Sequence, residues 1–202
     1  MSGTGNVTIV RTPRIIHGIA QKARDELYLG PSGRIAHDPE WLLEKLVRPI
    51  KKVELDVCSD ADLPSSHACF DVADRILRIR ESVLRRARDE DPDALFTVWH
   101  ELGHIYLHSD PLYFRETPPK HLPIKFRDPE WQADFFAVDF SVDRSKLAIY
   151  DTPLKAASYF RVPLIQMQKY FDQLTRDGIL TPNPRSALEH YLDRAVQGEL
   201  DI

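Results

Sequence analysis

The stretch His100-Glu101-Leu102-Gly103-His104 places two imidazoles four residues apart, with a carboxylate next to the first. On a helix, side chains at i and i+4 share one face with Cβ atoms about 5–6 Å apart, so both histidines can reach one ion at zinc–nitrogen distances of about 2.0–2.1 Å. Glu101 lies off that line, where it is placed to accept a proton from a water at the ion. The spacing therefore predicts a zinc site with its own general base.

The surrounding sequence predicts an amphipathic helix for this motif. Asp91-Pro92 is a helix-start signal, because the aspartate can cap free N–H groups while proline occupies the first helical position. Leu95, Val98, Leu102 and Ile105 then recur at helical spacing, so the motif lies beside a buried stripe. The alternative is a pair of surface or satisfied core histidines on a charged helix, and the helix context favours the metal site.

A catalytic zinc site needs a third protein ligand and leaves the fourth position to water. His108 continues the histidine series, but in a straight helix it lies about 12 Å along the axis from His100. The metzincin arrangement breaks the helix with a glycine, and Leu107 occupies that position here. We therefore expect His108 to support a ligand or to lie at the helix terminus rather than to bind the ion.

Glu130 is the better candidate for the third ligand. It lies four residues before Asp134 in a second predicted helix, so the glutamate can ligate while the aspartate accepts the free ring N–H of a zinc histidine. Ala133 and Ala137 would let this helix approach another closely. The alternative is an ordinary acidic first turn that complements the helix dipole.

The composition bounds the class of protein. With 202 residues, 43% apolar and 29% charged, the chain suits one domain or a domain with a small appendage. A net charge of −4 argues against a nucleic-acid-binding protein. Cys58 and Cys69 form no CxxC pair and indicate thiols in a reducing compartment. Because no apolar leader follows Met1 and no stretch reaches the ~20 apolar residues of a membrane span, we expect a soluble cytoplasmic protein.

The pattern of elements predicts an α+β fold, mainly helical, with a small antiparallel sheet before the zinc helix. Capping-residue–proline pairs and periodicity place helices at 14–29, 39–48, 92–108, 129–141, 153–160, 163–176 and 184–195. Strands are expected at 52–57, 68–73 and 75–80. We assign residues 1–150 to the zinc domain and 151–202 to a helical C-terminal region with a helix-turn-helix-like rhythm.

Two segments are similar to the ImmA/IrrE family of zinc metallopeptidases. Residues 97–108 (TVWHELGHIYLH) resemble its FTxAHELGHxxLH segment, and residues 130–137 (EWQADFFA) resemble its second signature. The resemblance implies a zincin-like domain that binds one Zn²⁺ through His100, His104 and Glu130, with Glu101 as catalytic base. It also implies a regulatory task, the cleavage of a repressor or antitoxin-like partner, as in stress responses. Asp139 and Asp143 replace apolar residues of the family pattern, so packing or substrate contact is expected to differ there.

The sequence thus favours a zinc-dependent endopeptidase acting on a specific regulatory protein. Tyr113, Arg115 and His121 are candidate oxyanion or substrate contacts, although each is also an ordinary solvated loop residue. The strand at 75–80 is a candidate for edge pairing with an extended substrate. The rival hypothesis is a catalytically silent, zinc-stabilised sensor that regulates through protein contact. DNA contact by the C-terminal helices is disfavoured because their lysines and arginines are offset by aspartates.

Overall fold

The computed structural model describes residues 9–27, 38–109 and 122–181, and within them the fold is α+β. The strands form one small three-stranded sheet. The helices are α1 (Pro13–Glu26), α2 (Pro39–Leu42), α3 (Arg48–Lys51), α4 (Glu81–Arg88), α5 (Pro92–His108), α6 (Pro129–Ser141), α7 (Pro153–Phe160) and α8 (Leu164–Arg176). The strands are β1 (Glu54–Cys58), β2 (Ala68–Asp71) and β3 (Ile76–Arg80). None of the described helices combines the length and apolar character of a membrane span.

The predicted helix starts are confirmed wherever the chain is described. Asp91 accepts a hydrogen bond from the Ala94 N–H at 2.9 Å, and Asp128 accepts one from the Glu130 N–H at 3.0 Å. Asp38 and Thr152 cap α2 and α7 in the same way. Each satisfies an N–H group that has no partner inside its helix, and a proline follows it at the first helical position. The predictions 92–108, 129–141 and 153–160 therefore match α5, α6 and α7.

Other helix predictions need correction. The first helix ends at Glu26 rather than at residue 29, and the second continues to Lys51 through a π-helical segment, Leu43–Val47. Helix α4 was missed because it follows β3 directly, with Arg80 at its N-cap and neither a capping side chain nor a proline. The predicted helix at 184–195 lies outside the described residues.

The sheet is mixed rather than antiparallel throughout. Its strand order is β1-β3-β2, with β1 parallel and β2 antiparallel to β3. The sequence predicted antiparallel pairing alone, whereas β3 lies in the centre between a parallel and an antiparallel neighbour, and its Leu77 and Ile79 are the most deeply buried pair in the sheet. The idea that residues 75–80 pair with a substrate is therefore wrong, since β3 is bonded on both sides. The edge strand that contacts α5 is β2.

Helices α5 and α6 form the central packing contact. Val98, Leu102 and Ile105 of α5 are fully buried, as the apolar stripe predicted. Closest approach falls at Gly103, where an added Cβ would lie 3.1 Å from Ala133 Cα. Gly103 and Ala133 are small enough to let the two backbones come close. This contact packs α5 against α6, the helix that carries Glu130.

Asp139 is a structural residue rather than a substrate contact. It is fully buried on α6 and accepts hydrogen bonds from His17 Nδ1 at 2.8 Å, from Arg144 Nε at 2.7 Å and from the Tyr170 hydroxyl. These partners come from α1, from the segment after α6 and from α8. Asp143 caps the short 3₁₀ helix that follows. Asp139 thus joins three segments in the interior, and Asp143 stabilises the start of a short helix.

Replacing the two described helical glycines with alanine is expected to have opposite effects. Gly103→Ala forces a Cβ against the α6 backbone, and the overpacking cost of about 1–3 kcal/mol outweighs a helix-propensity gain of about 1 kcal/mol. Gly18→Ala on α1 meets nothing within 4 Å and should stabilise the protein by about 0.5–1 kcal/mol. Urea unfolding measures both changes. An equal gain at both positions would contradict the close α5–α6 contact.

Candidate metal centre

A cleft of about 670 Å³ lies between β2, α5 and α6. Helix α5 contributes the three histidines and Glu101 to it, and α6 contributes Glu130. The opposite wall is largely apolar and includes Ala68, Phe70 and Val72 from β2 and the residues that follow it. The polar groups thus converge at one side of an otherwise apolar cleft, which is the usual form of a small-molecule or peptide site.

Three of the predicted ligands meet in the cleft. His100 Nε2 lies 3.0 Å from His104 Nε2, and Glu130 oxygens lie 3.3 Å from the first nitrogen and 3.5 Å from the second. The three side chains form a group whose donor atoms all lie within 4.8 Å of one another. Glu130 lies in the first turn of α6, which Asp128 caps, and with Pro129 it lines the cleft.

Asp134 fixes the orientation of His100. Its Oδ1 lies 2.8 Å from His100 Nδ1, four residues beyond Glu130 on the same face of α6. Burial acts to lower the pKa of His100, but the hydrogen bond and charge of Asp134 outweigh it and leave that pKa raised. Because the carboxylate only accepts, Nδ1 carries a proton, and Nε2 of the neutral ring presents a lone pair to the cleft.

A hydrogen-bond chain fixes the tautomer of His104. The Gln132 amide nitrogen lies 2.7 Å from the carbonyl oxygens of Ile9 and Phe126, which only accept, so Gln132 Oε1 must face His108. His108 Nε2, at 3.0 Å, then donates to that oxygen. His108 Nδ1 is left as acceptor for His104 Nδ1 at 3.1 Å. The Nε2 of His104 therefore also presents a lone pair.

The two bare nitrogens and a carboxylate form a cation site. Without a cation or an added proton, two lone pairs facing each other at 3.0 Å repel, and Glu130 adds a negative charge beside them. Zinc–ligand bonds of about 2.0–2.1 Å in a tetrahedron separate neighbouring donors by roughly 3.3 Å, close to the spacings here. Among the described residues, two imidazoles and one carboxylate supply three of the four positions of such a site. The donor set thus fits Zn²⁺ in a catalytic type of site.

Burial and charge act on the other titratable groups of the cleft. Burial, together with the neighbouring rings of His100 and His108, lowers the pKa of His104 to about 3, so this ring stays neutral. Burial also lowers the pKa of His108. Glu101 is 8% exposed, and burial raises its pKa although the Phe70 main-chain N–H donates to its Oε2 at 2.8 Å. A carboxylate with a raised pKa is better matched to proton transfer near neutral pH.

The structure brings together most of the residues singled out in the sequence. His100, Glu101, His104, His108, Glu130 and Asp134 all lie at the cleft or against its ligands. Tyr113, Arg115 and His121 lie outside the described residues. Sequence reasoning missed two contributors. Gln132 received no role from the sequence, because its importance follows from the burial and hydrogen bonds of its amide. Phe70 acts through its main-chain N–H, which no side-chain pattern reveals.

Comparisons with protein-family models, curated proteins and solved structures return no match.

Zinc affinity is expected to fall as the pH falls. His100 binds an ion only after Nε2 loses its proton, and because its pKa is raised above the ordinary value of about 6.5, proton competition begins above that pH. Below the pKa of His100 the affinity should drop about tenfold per pH unit. Chelator competition from about pH 8 to about pH 5 measures it. An affinity that does not change with pH would contradict the assignment.

Asp134→Asn separates the two contributions of the aspartate. Losing the carboxylate should weaken zinc binding at high pH by about 10- to 100-fold, because the orienting partner of a ligand is lost. It should also move the pH midpoint downward, because the charge that raises the pKa of His100 is gone. Asp172→Asn, at an exposed site on α8, is the matched control and should leave both quantities unchanged.

Proposed function

We propose that this protein is a zinc-dependent metallo-endopeptidase of the ImmA/IrrE type that hydrolyses a peptide bond in a specific regulatory protein. The observation that supports it best is the convergence of two bare imidazole nitrogens and Glu130, with spacings close to those of a tetrahedral zinc site. A purely structural zinc site is closed by four protein ligands, whereas the described residues supply three beside an open cleft.

The chain's own residues divide the work of hydrolysis. Glu101 removes a proton from the attacking water and returns it to the leaving amine. His100 and His104 hold the ion, and each is kept in its binding tautomer by a hydrogen bond to its other ring nitrogen. When bound, zinc polarises the scissile carbonyl, acidifies the water and stabilises the developing oxyanion.

The cleft suits an extended peptide. Strand β2 forms the edge of the sheet and lines the cleft opposite the ligands, so a substrate segment can run beside it through main-chain hydrogen bonds. An extended segment of a folded or partly folded partner supplies such a strand. The proposal that the partner is a transcriptional repressor or an antitoxin-like regulator rests on the family resemblance.

Glu101→Gln should separate catalysis from metal binding. The amide keeps the shape of the side chain but cannot take a proton, so cleavage of an internally quenched peptide library should fall by at least about 10²- to 10⁴-fold. Zinc content measured by elemental analysis should stay near the wild-type value. Retained cleavage would remove Glu101 as the base. Absence of cleavage by the zinc-loaded wild-type protein would favour the silent-sensor hypothesis instead.

Glu130→Ala should lower both zinc content and activity. Loss of a direct ligand is expected to weaken zinc binding by more than about 100-fold, beyond the effect of losing an orienting partner. Glu81→Ala removes an exposed carboxylate from the first turn of α4 and serves as the control, with zinc content unchanged. Equal zinc content in the two variants would exclude Glu130 as a ligand.

The same Glu101→Gln protein provides a route to the partner. A variant that binds substrate without cleaving it should retain the regulator in a pull-down, while the wild-type protein yields its fragments. Recovery of one intact protein from Glu101→Gln, and of its cleaved form with the wild type, identifies the substrate. A protein recovered intact from both would be a binding partner of the kind that the sensor hypothesis requires.

A further inference from the structure

The outer edge of β2 presents main-chain groups to the cleft. Arg80 N–H donates to His67 O at 3.1 Å, which makes these two a hydrogen-bonded pair, and the register then pairs Cys69 with Arg78 in the same way. Because bonding alternates along an antiparallel ladder, the N–H groups of Ala68 and Phe70 point away from β3. Both residues line the cleft.

The two outward N–H groups differ in what they meet. Phe70 N–H donates to Glu101 Oε2 at 2.8 Å across a buried contact. The other oxygen of Glu101 takes no hydrogen bond from any described residue, and Glu101 itself lines the cleft. Ala68 N–H likewise takes no described partner. The Phe70 N–H is therefore already hydrogen-bonded to Glu101, whereas the Ala68 N–H can donate to a ligand.

We propose that the Phe70 main-chain N–H is a positioning group for Glu101. It holds one carboxylate oxygen and thereby directs the other at the water beside the zinc ligands. The inference rests on the proposed peptidase function. It has a consequence for substrate binding: a substrate strand cannot use the Phe70 N–H and pairs with β2 at Ala68 instead. Strand β2 thus positions the catalytic base at Phe70 and aligns the substrate at Ala68.

Backbone ester substitution tests the two roles separately. Replacing Phe70 by its α-hydroxy acid removes the N–H and keeps the buried ring, so kcat should fall about 10- to 100-fold with little change in KM, as expected for the loss of a hydrogen bond to a charged group. The same substitution at Ala68 is the matched control and should raise KM while kcat is retained. The probe is the best-cleaved peptide of the quenched library, and zinc content verifies that each ester protein folds.

Amide hydrogen exchange supplies a readout that does not depend on activity. In the zinc-loaded protein the Phe70 amide should be protected, with protection kept in Glu101→Gln, whose amide oxygen can still accept, and lost in Glu101→Ala. Equal protection in Glu101→Ala, or a Phe70 ester with wild-type kcat, overturns the positioning role. Failure of the wild-type protein to cleave the library counts against the peptidase function itself, whereas exchange at Phe70 still reports on the contact.

Discussion

The site depends on the close approach of α5 and α6 at Gly103 and Ala133. An added Cβ at Gly103 would lie 3.1 Å from Ala133 Cα, so at this position the two backbones leave no room for a larger residue without a shift. This contact brings Glu130 and Asp134 of α6 to the histidines of α5, because the carboxylates are too short to bridge a wider gap. Because the candidate ligands come from two helices, the packing of the two backbones sets the distances between them.

A chain of partly buried hydrogen bonds sets the protonation pattern of the imidazoles, which the helix packing alone does not determine. Main-chain carbonyls of Ile9 and Phe126 orient the Gln132 amide, which sets the tautomer of His108 and through it that of His104. Each step is forced because a carbonyl cannot donate. A fully satisfied buried chain of this kind is stable, whereas a break leaves an unpaired polar group at a cost of about 1–3 kcal/mol.

Local signals made much of the fold predictable, and long-range pairing set the limit. Asp91 and Asp128 predicted the starts of α5 and α6, because a capping residue and the proline after it act within one helical turn. The order of the strands was not predictable from neighbouring residues, because it depends on which strand is buried on both sides, and β3 took the centre. Within the site, His100 and Glu130 could be predicted because each has a second polar residue four positions later in the sequence. Phe70 contributes through its main chain, and its role follows only from where the edge of β2 lies.

The exposure of the site groups shows where the cleft is rigid and where it is open. The side chains of His100 and His104 are 17% and 16% exposed, whereas that of Glu130 is 68% exposed. The two imidazoles are thus largely enclosed and hydrogen-bonded to partly buried partners, whereas the Glu130 carboxylate is exposed to solvent. Glu101 lies on the opposite, buried side against β2. Under the proposed function, the edge of β2 therefore sets the direction from which a substrate strand approaches Glu101 and the three candidate ligands.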